Sequence, residues 1–100
     1  MKRGQVVEVA LGRILATPGA LEALAESGQT AREFLERHAR GDWGNVAPED
    51  RLLNEQALRT GARLFSSYKT RQGVTIWVIT EAANRHGQRA ATTLLLPEEY

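Results

Sequence analysis

Hydrophobic residues keep a helical spacing from about position 18 to position 60 and a shorter one through the last forty. Residues 5–11, QVVEVAL, set Val7, Val9 and Leu11 in alternation with Val6, Glu8 and Ala10, which predicts a strand. Val7, Leu11, Ile14 and Leu15 also fall at helical spacing, but Gly12 weakens a helix there, so the strand is preferred. Thr17-Pro18 predicts a helix start: threonine caps, and proline occupies a first-turn position whose N–H has no helical partner. That helix covers 18–27, with Leu21, Leu24 and Ala25 on one face, and stops at Gly28. Thr30-Ala31-Arg32-Glu33 fits a capping box and opens a second helix to about Arg40, with Phe34 and Leu35 facing inward. Pro48 opens a third helix over 48–60, whose apolar stripe is Leu52, Leu53, Ala57 and Leu58 and whose end is Gly61.

Beyond residue 61 the period shortens. Residues 62–70 read as a strand, RQG as a turn, and 74–81, VTIWVITE, as a strand apolar on both faces. Asn84 to Gln88 connect to a last strand over 89–96, which stops at Pro97. The order is β-α-α-α-β-β-β, a single α+β domain over residues 1–100. Its three-stranded antiparallel meander takes the N-terminal strand as a fourth, with helices on one face. The run Leu94-Leu95-Leu96 on an edge strand suggests a homodimer contact. Trp77, between Ile76 and Val78, is expected in or near the core.

Composition adds exclusions. The chain of 100 residues is 42% hydrophobic and 25% charged, the mixture of an ordinary soluble globular domain rather than a disordered one. No apolar run nears the roughly 18 residues of a membrane span, and Glu8 interrupts the stretch that a signal peptide would need. No cysteine is present, which removes disulfides, thiolate metal sites and cysteine nucleophiles and suits the cytoplasm. Thirteen basic residues nearly balance twelve acidic ones, so a wholesale phosphate-binding surface is not expected. Residues 1–50 carry a net −2 and residues 51–100 a net +3. The two histidines stand 48 residues apart, without C-x-x-C or H-E-x-x-H context, and no Walker loop, dinucleotide fingerprint or G-x-S-x-G elbow occurs. No metal or cofactor is expected.

Three clusters could carry chemistry. In Arg37-His38-Ala39-Arg40-Gly41-Asp42-Trp43-Gly44, His38 sits in the last turn of its helix, and Asp42 could fold back to orient it as an acid/base pair. The structural reading of the same residues has His38 and Asp42 as caps and Trp43 as a core plug. In the first strand of the meander, Ser66 and Tyr68 share one face while Arg63 shares the other with Phe65 and Ser67. Bases interleaved with aromatics can bind nucleic acid, although a sheet with one wet face gives the same pattern. The third cluster is Thr80-Glu81, Arg85-His86 and Thr92-Thr93, whose hydroxyls and carboxylate could meet near one end of the sheet. Threonine is also common in strands for its cross-strand pairing, and His86 falls in an exposed connection.

Taken together, Arg37-His38-x-x-Gly41-Asp42-Trp43-Gly44, Asn54, Arg63-Leu64-x-Ser66-Ser67-Tyr68, Trp77-Val78-Ile79-Thr80-Glu81-Ala82 and Thr92-Thr93-Leu94-Leu95-Leu96-Pro97-Glu98-Glu99-Tyr100 resemble a family of small bacterial proteins found on plasmids and phages. Its members are called plasmid-related proteins, sometimes labelled restriction-modification subunits. The resemblance runs from about Leu11 onward and includes Ala16-Thr17-Pro18-Gly19-Ala20-Leu21. It implies a mobile-element setting and no defined activity. A chain of this length without a glycine-rich cofactor loop is not a complete methyltransferase.

The expectation is a non-enzymatic binding or accessory protein acting on a host or plasmid protein or a nucleoprotein complex. Its contact residues would be Arg37, His38, Asp42, Trp43, Arg63, Ser66 and Tyr68, with Trp43 as an exposed anchor. The alternative is a small metal-independent RNase of the toxin type. There His38 or Glu81 would be the base, Arg63 would offset phosphate charge, and Tyr68 or Thr93 would position the substrate, with Asp42 orienting His38.

Overall fold

The computed structural model describes residues 8–100. Its order is β1 (Arg13–Ala16), α1 (Pro18–Ser27), α2 (Ala31–Ala39), α3 (Pro48–Thr60), β2 (Leu64–Lys69), β3 (Thr75–Thr80), β4 (Ala91–Leu95) and a 3₁₀ turn over Pro97–Glu99. The α+β class holds.

The helix boundaries follow from the caps. Thr17 accepts a bond from the Ala20 N–H at 3.2 Å, Pro18 begins α1, and Gly28 ends it at φ 69°. Thr30 accepts from the Glu33 N–H at 3.4 Å, but Glu33 does not complete the capping box. Its carboxylate takes the Gln29 amide instead, at 2.8 Å. The C-terminus reinforces α1: the Glu99 carboxylate accepts from the Thr17 hydroxyl, from the Gly19 N–H at 3.0 Å and from the Leu96 N–H at 2.8 Å. These contacts, the Thr17 hydroxyl foremost, hold the Glu99 carboxyl below its usual range.

The sheet order is β1-β4-β3-β2, with β1 parallel to β4 and the other pairs antiparallel. It is therefore a mixed sheet, and two expectations change. The N-terminal strand is not over 5–11: residues 5–7 lie outside the described residues, and 8–11 form no strand. Val9 instead donates to the Ala39 carbonyl at 2.9 Å and packs beside Trp43, and the strand begins only after Gly12. At Gly12 the chain turns with φ 68°, and a Cβ would come within 2.4 Å of the Arg89 carbonyl. The second change concerns β4, which is internal. Leu94 and Leu95 are buried within the sheet and cannot form a dimer edge.

Helices cover one face. Ala20, Ala23, Leu24 and Phe34 pack on Tyr68, Ile76, Val78 and Leu94, with Phe34 stacked on Tyr68 at 5.3 Å between ring centres. A second core joins Trp43, Ala57 and Leu64. The stripe of α3 is rotated from its expected position: Leu52 and Leu53 are each 59% exposed, and Asn54, Ala57 and Leu58 face inward. Asn54 explains the rotation. Its amide donates to the Phe65 carbonyl at 2.7 Å, and its oxygen accepts from the Phe65 N–H at 3.0 Å. Those backbone groups point outward from edge strand β2, so Asn54 stands in for a missing neighbouring strand. Residues 43–45 do the same one step along: Ser67 donates to the Trp43 carbonyl at 3.1 Å and accepts from the Asn45 N–H at 2.7 Å. This approach requires glycine at 44, where φ is 73° and a Cβ would meet the Ser67 carbonyl oxygen at 2.1 Å.

Asn54→Ala leaves the Phe65 backbone unanswered at a buried position. It is expected to lower unfolding free energy by about 1–3 kcal/mol in urea titration. A loss within error of zero would show that the amide does not hold this edge.

Candidate functional site

The buried side of the sheet holds a continuous chain of polar contacts. His38, at the end of α2, is fully buried. Its Nδ1 lies 2.6 Å from the Ser66 hydroxyl of β2, and its Nε2 lies 2.8 Å from the Thr80 hydroxyl of β3. Thr80 lies 2.7 Å from Thr92 of β4, and Thr92 donates to the Leu11 carbonyl at 2.8 Å. That carbonyl fixes every proton behind it, because it can only accept. Thr92 has spent its proton, so Thr80 donates to Thr92 and accepts from His38 Nε2–H. Nδ1 is then the free acceptor for the Ser66 hydroxyl. The imidazole is neutral and carries its proton on Nε2. Burial, helped by the positive charge of Arg89, lowers its pKa to about 4.

Asp42 does not meet this ring. Its carboxylate pairs with the Arg37 guanidinium at 2.7 Å and accepts from the Gly44 N–H at 3.2 Å. The bond from Arg37 holds the Asp42 carboxyl below its usual range, and the same bond raises the Arg37 pKa. Arg37 also lies 4.5 Å above the centre of the Tyr68 ring, whose hydroxyl donates to the Asp42 carbonyl at 2.6 Å. Burial pushes the Tyr68 phenol up to about 12. Trp43 is fully buried, meets His38 edge-on at 5.7 Å and donates to Glu55 at 2.9 Å. The indole between glycines is thus a core plug and not an exposed anchor. Of the seven expected contact residues, His38, Trp43, Ser66 and Tyr68 are buried, and Arg37, Asp42 and Arg63 keep access to solvent.

The sheet also divides the expected catalytic set. Thr80 and Thr92 point into the helical side with His38, whereas alternation turns Thr93, Glu81 and Arg63 to the opposite face. Arg85 and His86 are exposed in the β3–β4 connection. Among the described residues, no three His, Cys, Asp or Glu side chains gather as a metal site, and no helix is long and apolar enough to cross a membrane.

The accessible feature is the sheet face without helices. It carries Phe65 and Ser67 from β2, Thr75, Trp77 and Ile79 from β3, Thr93 from β4 and Leu15 from β1. Trp77 meets Phe65 edge-on at 5.1 Å and Tyr100 edge-on at 5.8 Å. Tyr100 is 72% exposed, and Arg63 both donates to its hydroxyl at 2.7 Å and lies over its ring at 5.9 Å. Asp50, Arg63, Phe65, Trp77, Ile79 and Tyr100 line a recess of about 300 Å³. Asp50, Arg63 and Phe65 also line a second recess of about 240 Å³, with exposed Leu53 at its wall. The two form one groove around edge strand β2. Within the described residues, neither Asp50 nor Arg63 has an ion-pair partner.

Arg63 is the one expected contact residue in this groove. Asp50, Leu53, Ile79 and Tyr100 were not expected at a site, and Trp77, expected in or near the core, is half-buried on this face. A strand apolar on both faces gives the same pattern whether its second face is covered or open. Arg89 was also missed. It donates to the carbonyls of Ala57, Ala62 and Glu81 at 3.2, 2.7 and 3.0 Å, tying the end of α3 to the sheet. The chain matches no family model, no curated protein and no solved structure.

The His38 geometry has a pH consequence. In the unfolded chain a histidine titrates near 6.5, so below that pH the unfolded state binds the proton that the folded state refuses. The contribution of His38 is complete above pH 6.5 and declines as pH falls to about 4, by about 3 kcal/mol in total. Urea unfolding across that interval is expected to show this slope in the wild type and to lose it in His38→Gln. A flat wild-type curve would contradict a buried neutral imidazole.

Proposed function

We propose that this chain is a non-enzymatic binding protein whose open sheet face and β2 groove dock a segment of a partner protein. The observation that supports this is the row Phe65–Trp77–Tyr100, which among the described residues has no helix over it and is flanked by an anion and a cation without ion-pair partners. Aromatics beside arginine are the usual anchors of protein interfaces. Asp50 and Arg63 together suit a segment with an apolar side chain between polar groups of opposite charge. They suit a phosphate chain less, because Asp50 would repel it. The mobile-element setting implied by the sequence motifs makes a host or plasmid protein, free or in a nucleoprotein complex, the natural partner. A chain without cysteine suits the cytoplasm as the place of encounter.

The RNase alternative has less support. His38 is sealed from solvent and lies across the sheet from Arg63, Glu81 and Thr93, so it cannot be the base for a substrate held there, and Glu81 is the one expected base on the face that carries Arg63 and Thr93.

The test is capture from a bacterial lysate, identification of the partner, and titration with that partner purified. Tyr100→Ala and Arg63→Glu are expected to weaken the complex at least about tenfold. Arg32→Ala, on the exposed outer surface of α2, should leave it unchanged. Mixed-sequence single-stranded RNA should neither quench tryptophan fluorescence nor be cleaved. A partner indifferent to both face variants, or RNA cleavage by pure protein, would overturn the reading.

A further inference from the structure

The two edges of the sheet are finished differently. The outward backbone groups of β2 are answered by Asn54 and by residues 43–45. Those of β1 are not. Arg13 donates to the Ala90 carbonyl and Thr17 to the Leu94 carbonyl, both at 3.0 Å. In a parallel pair, alternate residues face the neighbour, here Arg13, Leu15 and Thr17, and those between turn their N–H and C=O groups the other way. Ile14 and Ala16 therefore direct theirs off the sheet, and no described residue answers them. Among the described residues nothing covers this edge: Arg13–Ala16 holds no proline or bulge, its one charge stands at the first position, and Ile14 and Leu15 are 46% and 40% exposed.

We propose that β1 pairs antiparallel with β1 of a second copy of this chain. A twofold axis normal to the sheet keeps helical faces together and open faces together, and so restricts the register. The outward-pointing residues must oppose each other, which sets Ile14 against Ala16 of the partner subunit. Both such pairs then exchange N–H···O=C bonds. Leu15 meets Leu15 of the partner subunit across the axis as a close, non-hydrogen-bonded pair on the open face. Arg13 falls opposite Thr17 of the partner subunit, so like charges do not face each other. Shifting the axis to Ile14 would leave both Ala16 backbones unanswered. This self-complementarity selects a second copy over an unrelated extended peptide. Pairing would double the four-stranded sheet and place two open faces side by side.

Sedimentation equilibrium over a concentration series tests the state, with a species of twice 11.1 kDa expected. Leu15→Asp sets two carboxylates against each other across the axis. It should weaken the dimer at least about tenfold with an unchanged far-ultraviolet spectrum. The chain has no cysteine, so single introduced thiols report the register without background. Leu15→Cys should cross-link under mild oxidation within the spacing a disulfide spans, and Ile14→Cys should not. Overturning results are a wild-type monomer throughout, a dimer indifferent to Leu15→Asp, or equal cross-linking by both thiol variants. A monomer that instead takes up an added extended peptide would assign the edge to a foreign strand and reject the second copy. None of these readouts depends on the partner protein of the β2 groove.

Discussion

An imidazole with no contact to solvent must either be charged beside an anion or be neutral with both nitrogens satisfied. His38 takes the second course. Its partners come from β2 and β3, and the second of them passes the bond to β4 and then to the chain ahead of β1. A single side chain on α2 therefore fixes the helix against neighbouring strands and the N-terminal segment against the sheet. An unsatisfied buried polar group costs about 1–3 kcal/mol, so a register slip in any of these strands would be penalised through this chain. No buried side-chain polar atom among the described residues lacks a partner.

This arrangement separates stability from the surface proposed for recognition. The residues with the most suggestive chemistry, His38, Tyr68, Ser66, Thr80 and Thr92, spend their hydrogen bonds on one another and on the backbone. Arg37 and Asp42 close the loop that covers β2. What remains for the proposed partner lies across the sheet, in the aromatic row and the groove beside it. There, Tyr100 joins a side chain near the C-terminus to one in the middle of the sheet. The same C-terminal turn sends Glu99 to the start of α1, so the turn that presents Tyr100 is itself anchored.

Local signals in the sequence were sufficient for the helices. Thr17-Pro18, Thr30 and Pro48 mark starts, and Gly28 and Gly61 mark ends, because caps act within a few residues. The hairpins of β2, β3 and β4 were legible for the same reason. The parallel placement of β1 was not, since its partner lies at the far end of the chain and no local pattern encodes it. Nor was the exposure of Leu52 and Leu53, where the bidentate bond of Asn54 to a distant strand overrode an apolar stripe. Asp42 is four residues from His38 in sequence, whereas the true partners of the ring lie 28 and 42 residues away. Proximity along the chain suggested a pair that the fold does not form.

His38 is sealed, neutral and independent of Asp42, which leaves the open face as the surface proposed for binding. Nitrogen-15 NMR of the His38 ring, followed through acid pH in the wild type and in Asp42→Asn, tests it most directly. The account predicts a neutral ring protonated at Nε2, with no titration until pH approaches about 4, and the same behaviour in the variant. Titration at or above about 6.5, shifted by Asp42→Asn, would restore the acid/base pair and contradict the account.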